Sequence, residues 1–164
     1  MRWEEMIPSI KYDAAVVGGG VMGAATSLSL AQRGLSVVNF EQYESPHNKG
    51  SSHGETRLLR TAYAEGGAYM PLARKSIKLW RDFERKSGAK LFHQTGVFYA
   101  GGPSSSFLRD VRQAVQQHDI QLQESSGVEA SKFISTLKIP DHWHALFEQD
   151  GGYLLAEESV RTLT

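Results

Sequence analysis

An α/β fold is predicted by three observations in this 164-residue sequence. A short apolar run, Ala14 to Val17, ends in Gly18-Gly19-Gly20-Val21-Met22-Gly23. A stretch rich in small residues comes next, with Ala24, Ala25, Leu28 and Ala31 near one face of a helix. A second apolar run, Ser36 to Phe40, then ends at Glu41. Strand, glycine turn, helix and strand in this order make a Rossmann-type βαβ unit from Tyr12 to Gln42.

Each glycine of the turn has its own physical reason. Gly18 serves the tight turn, Gly20 the close approach of backbone to a phosphate, and Gly23 the packing of helix on strand. The helix N-terminus offers N–H groups and a partial positive charge to a pyrophosphate. Arg33-Gly34 closes the helix with a glycine cap. Glu41 stands eighteen residues after Gly23, where a carboxylate reaches an adenosine ribose and repels a 2′-phosphate. Gly18, Gly20, Val21, Met22, Gly23, Glu41 and Gln42 are therefore candidate cofactor-binding residues.

Beyond Glu41, a loop rich in turn formers covers Tyr43 to His53. Thr56 to Tyr63 is expected to form a short helix capped by Thr56, which places Arg57 and Arg60 on one face. A longer helix is expected from Tyr69 to Lys86, with an apolar stripe of Tyr69, Ala73, Ile77, Trp80 and Phe83 and a stop at Gly88. Its basic residues form the solvated face of that helix, interrupted by Asp82 and Glu84. Strands are expected at Leu91 to Gln94 and Gly96 to Ala100, a helix at Ser106 to His118, and a strand at Ile120 to Gln123. Val128 to Leu137 reads as helix. Two strands, Ala145 to Glu148 and Gly152 to Leu155, flank the turn Asp150-Gly151. Ala156 begins a final helix with an acidic first turn. This departs from strict βαβ repetition, so residues 91–155 read as the beginning of a mixed-sheet substrate domain. Residues 1–90 read as the nucleotide-binding portion, and 156–164 as a helix returning to it.

Eighteen basic and eighteen acidic residues cancel, so no global field favours nucleic acid or an anionic membrane. The lack of cysteine excludes disulfides and thiolate chemistry within these residues. No run approaches transmembrane length, and MRWEEMIPSIK does not have the form of a secretory leader, so a cytoplasmic location is expected, with the peroxisome as the alternative. His142 and His144 flank Trp143 beside Asp141 without a third ligand, so no metal is expected. His47, His93 and His118 belong to no constellation. The final helix is short at Thr164, which reads as the N-terminal part of a longer protein, with the remainder as a candidate partner if it is a separate chain.

The block GSSHGETRLLRTAYAEGGAYMPLA, Gly50 to Ala73, is more specific than the glycine turn. Together with GGGVMG, Glu41, QTGVFYAG and EQDGGYLLAEESV it resembles the flavin-dependent amine oxidases of the monomeric sarcosine oxidase, N-methyltryptophan oxidase and pipecolate oxidase group. The resemblance implies FAD as cofactor and oxidation of a carbon–nitrogen bond in a secondary or N-methyl amino acid. Imine is the product, with dioxygen reduced to hydrogen peroxide. It further implies that Arg60 holds the substrate carboxylate, and that Arg57 and His53 lie beside the flavin ring. Ser51, Ser52 and Thr56 would help seat the cofactor, and Tyr63 to Tyr69 would border the substrate entrance.

Residue chemistry agrees with these roles, since arginine donates two parallel hydrogen bonds to a carboxylate and stays charged. Spacing alone favours a surface arginine pair with Glu55 and Glu65 as ion-pair partners. In this family the oxygen-activating lysine and much of the substrate sheet come from sequence beyond these residues, so the 164 residues alone are not expected to turn over. Two alternatives stay open at this point: an NAD-dependent dehydrogenase, which Glu41 suits equally well, and a non-catalytic flavin-binding fragment.

Overall fold

The structure, a computed structural model, describes residues 10–65, 67–118, 120–134 and 136–164. Met1 to Ser9, most of the segment read as lacking a secretory leader, lie outside the described residues. So does Ser135, within the helix expected from Val128 to Leu137. In chain order the elements are β1 (Ala14–Val17), α1 (Val21–Ala31), β2 (Val37–Phe40) and β3 (Thr56–Leu59). A 3-10 turn at Gly67–Tyr69 leads into α2 (Met70–Ser87), β4 (Phe92–His93), β5 (Val97–Gly101) and α3 (Ser106–His118). The remainder comprises β6 (Leu122–Ser126), α4 (Gly127–Phe133), β7 (His144–Glu148), β8 (Gly152–Leu155) and α5 (Ala156–Leu163).

The chain divides into two compact units. One holds the described residues up to Glu55 together with Ala156–Thr164. Within it β1 and β2 pair in parallel, from Ala14 opposite Val37 to Val17 opposite Phe40, joined through α1. That is the predicted βαβ unit. Asp13 accepts hydrogen bonds from the Ser36 backbone N–H and hydroxyl at 2.8 Å each, which ties the two strands at their start. Gly34 takes a left-handed φ of 86° after α1, where other residues are strained. Helix α5 packs against α1, with Ala24, Ala156, Ser159 and Val160 buried.

The other unit is Thr56–Leu155. The expected division after residue 90 falls inside it, because β3 and α2 share a core with β4 and β8. Ile77, Trp80 and Phe83 of α2 pack against the buried Leu59, Leu91, Phe92 and Leu154. Two three-stranded sheets are found, ordered β3-β8-β4 and β5-β7-β6, with antiparallel pairing throughout. Strands β5 and β6 both run antiparallel to β7, so β5, α3 and β6 form a split crossover with β7 between them. Leu108, Val111, Ala114 and Val115 of α3 pack with Val97, Tyr99 and Leu146 into a second core.

Two expectations are corrected here. Thr56 to Tyr63 does not form a capped helix: Thr56–Leu59 is strand β3, paired residue for residue with Leu155–Gly152. The shared helical face of Arg57 and Arg60 therefore does not form. Nor do β7 and β8 pair with each other around Asp150-Gly151; they belong to different sheets. In place of a hairpin turn, the Gly151 carbonyl accepts the Gly96 N–H at 3.0 Å. Elsewhere the element types agree, with the expected strand at Ile120 starting two residues later and the helix expected to Leu137 ending at Phe133. Among the described residues no helix is long and apolar enough to cross a membrane.

Candidate functional site

In the first unit, the glycine turn, Glu41 and the loop after β2 enclose a cavity of about 140 Å³. Gly18, at a φ of 103°, ends β1, and its N–H bonds to the Phe40 carbonyl at 2.7 Å. Gly23 sits one turn into α1 against the back of this turn. A Cβ there would come within 1.8 Å of the Gly18 carbonyl oxygen, a backbone atom with no room to yield. That closeness, with Val16 at 3.5 Å, is the helix-on-strand packing expected of Gly23.

Gly20 lines the cavity and serves as the N-cap of α1 on extended backbone. Glycine has no side chain with which to cap the helix, so a residue from the loop does. The Ser52 hydroxyl accepts the Val21 N–H at 3.0 Å. This modifies the expectation of open N–H groups at the helix start, since one of them is already satisfied by Ser52. Ser51 and Ser52 both line the cavity. Met22 is 78% exposed on the first turn of α1.

Glu41 closes the site. One carboxylate oxygen, Oε2, accepts the Gly19 N–H at 2.5 Å. The other, Oε1, accepts the N–H groups of Gln42 at 2.7 Å and Tyr43 at 3.0 Å. These donors, Gly19 first, hold the carboxyl below the usual carboxylate range, against the opposing effect of burial. Sequence reasoning missed His47: its Nε2 lies 3.2 Å from Glu41 Oε1, and its ring meets Tyr43 edge-on at 5.0 Å. His47, expected to belong to no constellation, is thus part of this one. Its signal was only its place in the loop that returns to the glycine turn. Nearby, His53 donates from Nδ1 to the Gly50 carbonyl at 2.5 Å, and the Gly54 N–H is taken by Glu157 of α5 at 3.0 Å.

The donor set fits a dinucleotide. A Cβ on Gly19 would come within 3.0 Å of Glu41, and one on Gly20 within 3.2 Å of the Ser52 hydroxyl, so side chains at these positions would fill the cradle. What remains is a bare-backbone turn, a helix start and an ionised carboxylate around one cavity.

Thr56, Arg57 and Arg60 belong to the second unit. Thr56 and Arg57 are exposed on β3, and Arg57 Nη1 donates to the Thr56 carbonyl at 2.9 Å. Arg60 is more enclosed. Its Nη2 pairs with Glu65 at 2.8 Å, and its guanidinium lies 4.6 Å from the Tyr63 ring centre. Burial works against its charge, but Glu65 and Tyr99 outweigh that and raise its pKa above the ordinary arginine value. The ion-pair partner that spacing suggested, Glu65, is therefore the partner found.

Behind Arg60 lies a second feature the sequence did not reveal. Glu148, 1% exposed at the end of the central strand β7, accepts the Thr61 N–H at 2.5 Å and hydroxyl at 2.7 Å. It also accepts the Ala62 N–H at 3.2 Å and the Tyr99 hydroxyl at 2.8 Å. Burial, and then Glu148, push the Tyr99 phenol well above its ordinary value. Four donors satisfy one buried carboxylate and fix the backbone immediately after Arg60. Among the described residues no group of three or more metal-ligating side chains occurs.

Known proteins share both sequence and fold. An N-methyl-L-tryptophan oxidase from Yersinia pestis (strain Pestoides F) is 37% identical over 152 residues, covering 93% of this chain and 41% of that protein. One from Yersinia pseudotuberculosis serotype O:1b (strain IP 31758) matches equally. The chain thus spans about two fifths of the length of these relatives. Among solved structures, NikD, an amino acid oxidase of nikkomycin biosynthesis, superposes with a TM-score of 0.79 at 22% identity, over 93% of this chain and 39% of that one. Glycine oxidase from Bacillus cereus does so with 0.74 at 22% identity, over 93% and 42%. At such identities the structures speak for the fold. The family described as FAD dependent oxidoreductase (DAO) matches residues 13–164, and with that match over the site just described, the chain belongs to this FAD-dependent family.

Proposed function

We propose that the whole protein is an FAD-dependent oxidase that converts a secondary or N-methyl amino acid to its imine, with dioxygen reduced to hydrogen peroxide. The observation that carries this reading is the 37% identity, over 93% of the chain, to relatives named N-methyl-L-tryptophan oxidase. The family's cofactor favours this reading over an NAD-dependent dehydrogenase.

In this reading the first unit seats the adenosine and pyrophosphate of FAD. Gly20 and the start of α1 face the phosphates, Glu41 takes the ribose hydroxyls, and Ser51 and Ser52 close the loop side. When bound, FAD supplies the two-electron acceptor for the carbon–nitrogen bond and the means of passing electrons to dioxygen. The second unit opens the substrate domain. Arg60, held charged and oriented by the turn that Glu148 fixes, binds the amino-acid carboxylate as a bidentate partner. Glu65, 57% exposed at its side chain, then stands where that carboxylate would pair. Arg57 and His53 are assigned to the flavin ring and Thr56 to the cofactor seat. The remaining length of the protein supplies the rest of the pocket and the group that activates oxygen, and the enzyme works in the cytoplasm.

The test uses the complete protein purified with FAD. Under anaerobic conditions an N-methyl or cyclic amino acid should bleach the oxidised flavin spectrum, and air should restore it with one peroxide per turnover. Flavin that stays oxidised with every such amino acid, while the protein is folded and saturated with FAD, would sink the reading.

A further inference from the structure

The geometry points to His47 as a positioning residue for the dinucleotide site: it fixes the Glu41 carboxylate by engaging one oxygen, leaving the other to take the ligand. The inference rests on the reading that Glu41 receives the adenosine ribose.

Three observations lead there. First, the tautomer of His47 is determined by its neighbours. The Lys49 backbone N–H, which can only donate, points at Nδ1 at 3.1 Å. In the neutral ring the proton therefore sits on Nε2, which faces Glu41 Oε1 at 3.2 Å in ion-pair contact. Second, the two carboxylate oxygens are unequally used. Oε1 accepts from Gln42 and Tyr43 and has His47 Nε2 against it at 3.2 Å, whereas Oε2 accepts from Gly19 alone. A carboxylate oxygen offers about two lone-pair directions, so only Oε2 keeps capacity for a ribose hydroxyl. Third, both side chains are only 19% exposed and both line the same cavity as Gly19, Gly20 and Ser52. Gln42 and Tyr43 adjoin Glu41 in the chain, so their N–H groups hold it locally. His47 reaches the carboxylate from the loop, through a ring braced by Tyr43, and it couples the loop's conformation to the carboxylate.

The test compares flavin-free complete protein with H47A, H47Q and E41A forms. Dissociation constants are measured by flavin fluorescence for FAD and for an FAD analogue lacking both adenosine ribose hydroxyls. Loss of this contact should weaken FAD binding to H47A about threefold. Binding of the dideoxy analogue should be unchanged by H47A, because it has no hydroxyl for Glu41 to hold. H47Q, whose amide N–H can replace the Nε2 donor, should recover most of the FAD affinity. Equal weakening of FAD and analogue by H47A, or no rescue by H47Q, would reduce His47 to loop packing and overturn the assignment. If E41A weakens FAD but H47A does not, the His47 role alone fails. If E41A binds FAD as the unsubstituted protein does, the ribose reading itself fails.

Discussion

At the level of single residues, the site depends on atoms that are absent as much as on those present. Gly23 has no tolerance, since a Cβ would sit 1.8 Å from the carbonyl oxygen of Gly18, and both belong to backbone fixed by β1 and α1. G23A should therefore prevent the turn from forming, abolishing FAD binding and lowering the thermal midpoint of the complete protein. A G23A protein that binds FAD normally in a fluorescence titration would show that the turn is not built this way. Glu41 and the glycines were legible from residue type and spacing, because a glycine turn between strand and helix has few alternatives. His47 and Glu148 were not. The role of His47 comes from a loop folding back on the glycine turn, and Glu148 looks in sequence like any strand-end carboxylate until β5 and β6 close on either side of it.

Among the elements, the sequence spoke clearly where a periodic pattern lay within one segment. Helix α2 formed as its apolar stripe indicated, with Tyr69 exposed just ahead of it and its end at Gly88 at a left-handed φ of 75°, and α3 spans the expected Ser106 to His118. It misled where the decision was long-range. Thr56 followed by Arg, Leu, Leu and Arg suits a capped helix locally, yet the segment is held extended by β8, almost a hundred residues later. Asp150-Gly151 likewise resembles a hairpin turn, but β7 and β8 find partners in different sheets. One consequence of the β5-β7-β6 sheet is testable by pH. The folded state holds the Tyr99 phenol above its ordinary value, so the neutral phenol is favoured on folding. Its contribution is fully present below the unfolded pKa of about 10 and is lost as pH rises beyond it toward the folded value. Denaturant titrations of the complete protein should show stability falling above about pH 10, with a shallower fall in Y99F. Parallel slopes for the two proteins would assign that fall to other groups.

Across the whole molecule, the two units are unequally supported. The described core clusters lie in the unit Thr56–Leu155, while the strands of the first unit form a two-stranded sheet. Val17, 86% exposed, and Phe40, 57% exposed, stand at the ends of β1 and β2. Small parallel sheets have little independent stability. In the isolated 164-residue chain, amides of β5 to β7 should exchange with solvent slowest and those of β1 and β2 fastest, read by hydrogen exchange. Uniform protection would contradict that ranking. The fold class was legible at this level because the first βαβ unit is local, whereas the grouping of β3 and α2 with the later strands required pairings that no local pattern announces. Function in the proposed reading begins in the first unit, whose glycine turn and Glu41 together seat the adenosine half of FAD. A crystal structure of the complete protein with FAD is the direct test. The pyrophosphate is expected at the start of α1 beside Gly20, with Glu41 Oε2 within hydrogen-bond distance of a ribose hydroxyl. A ribose held by another carboxylate, or a pyrophosphate bound away from Gly20 and Ser52, would refute that seating.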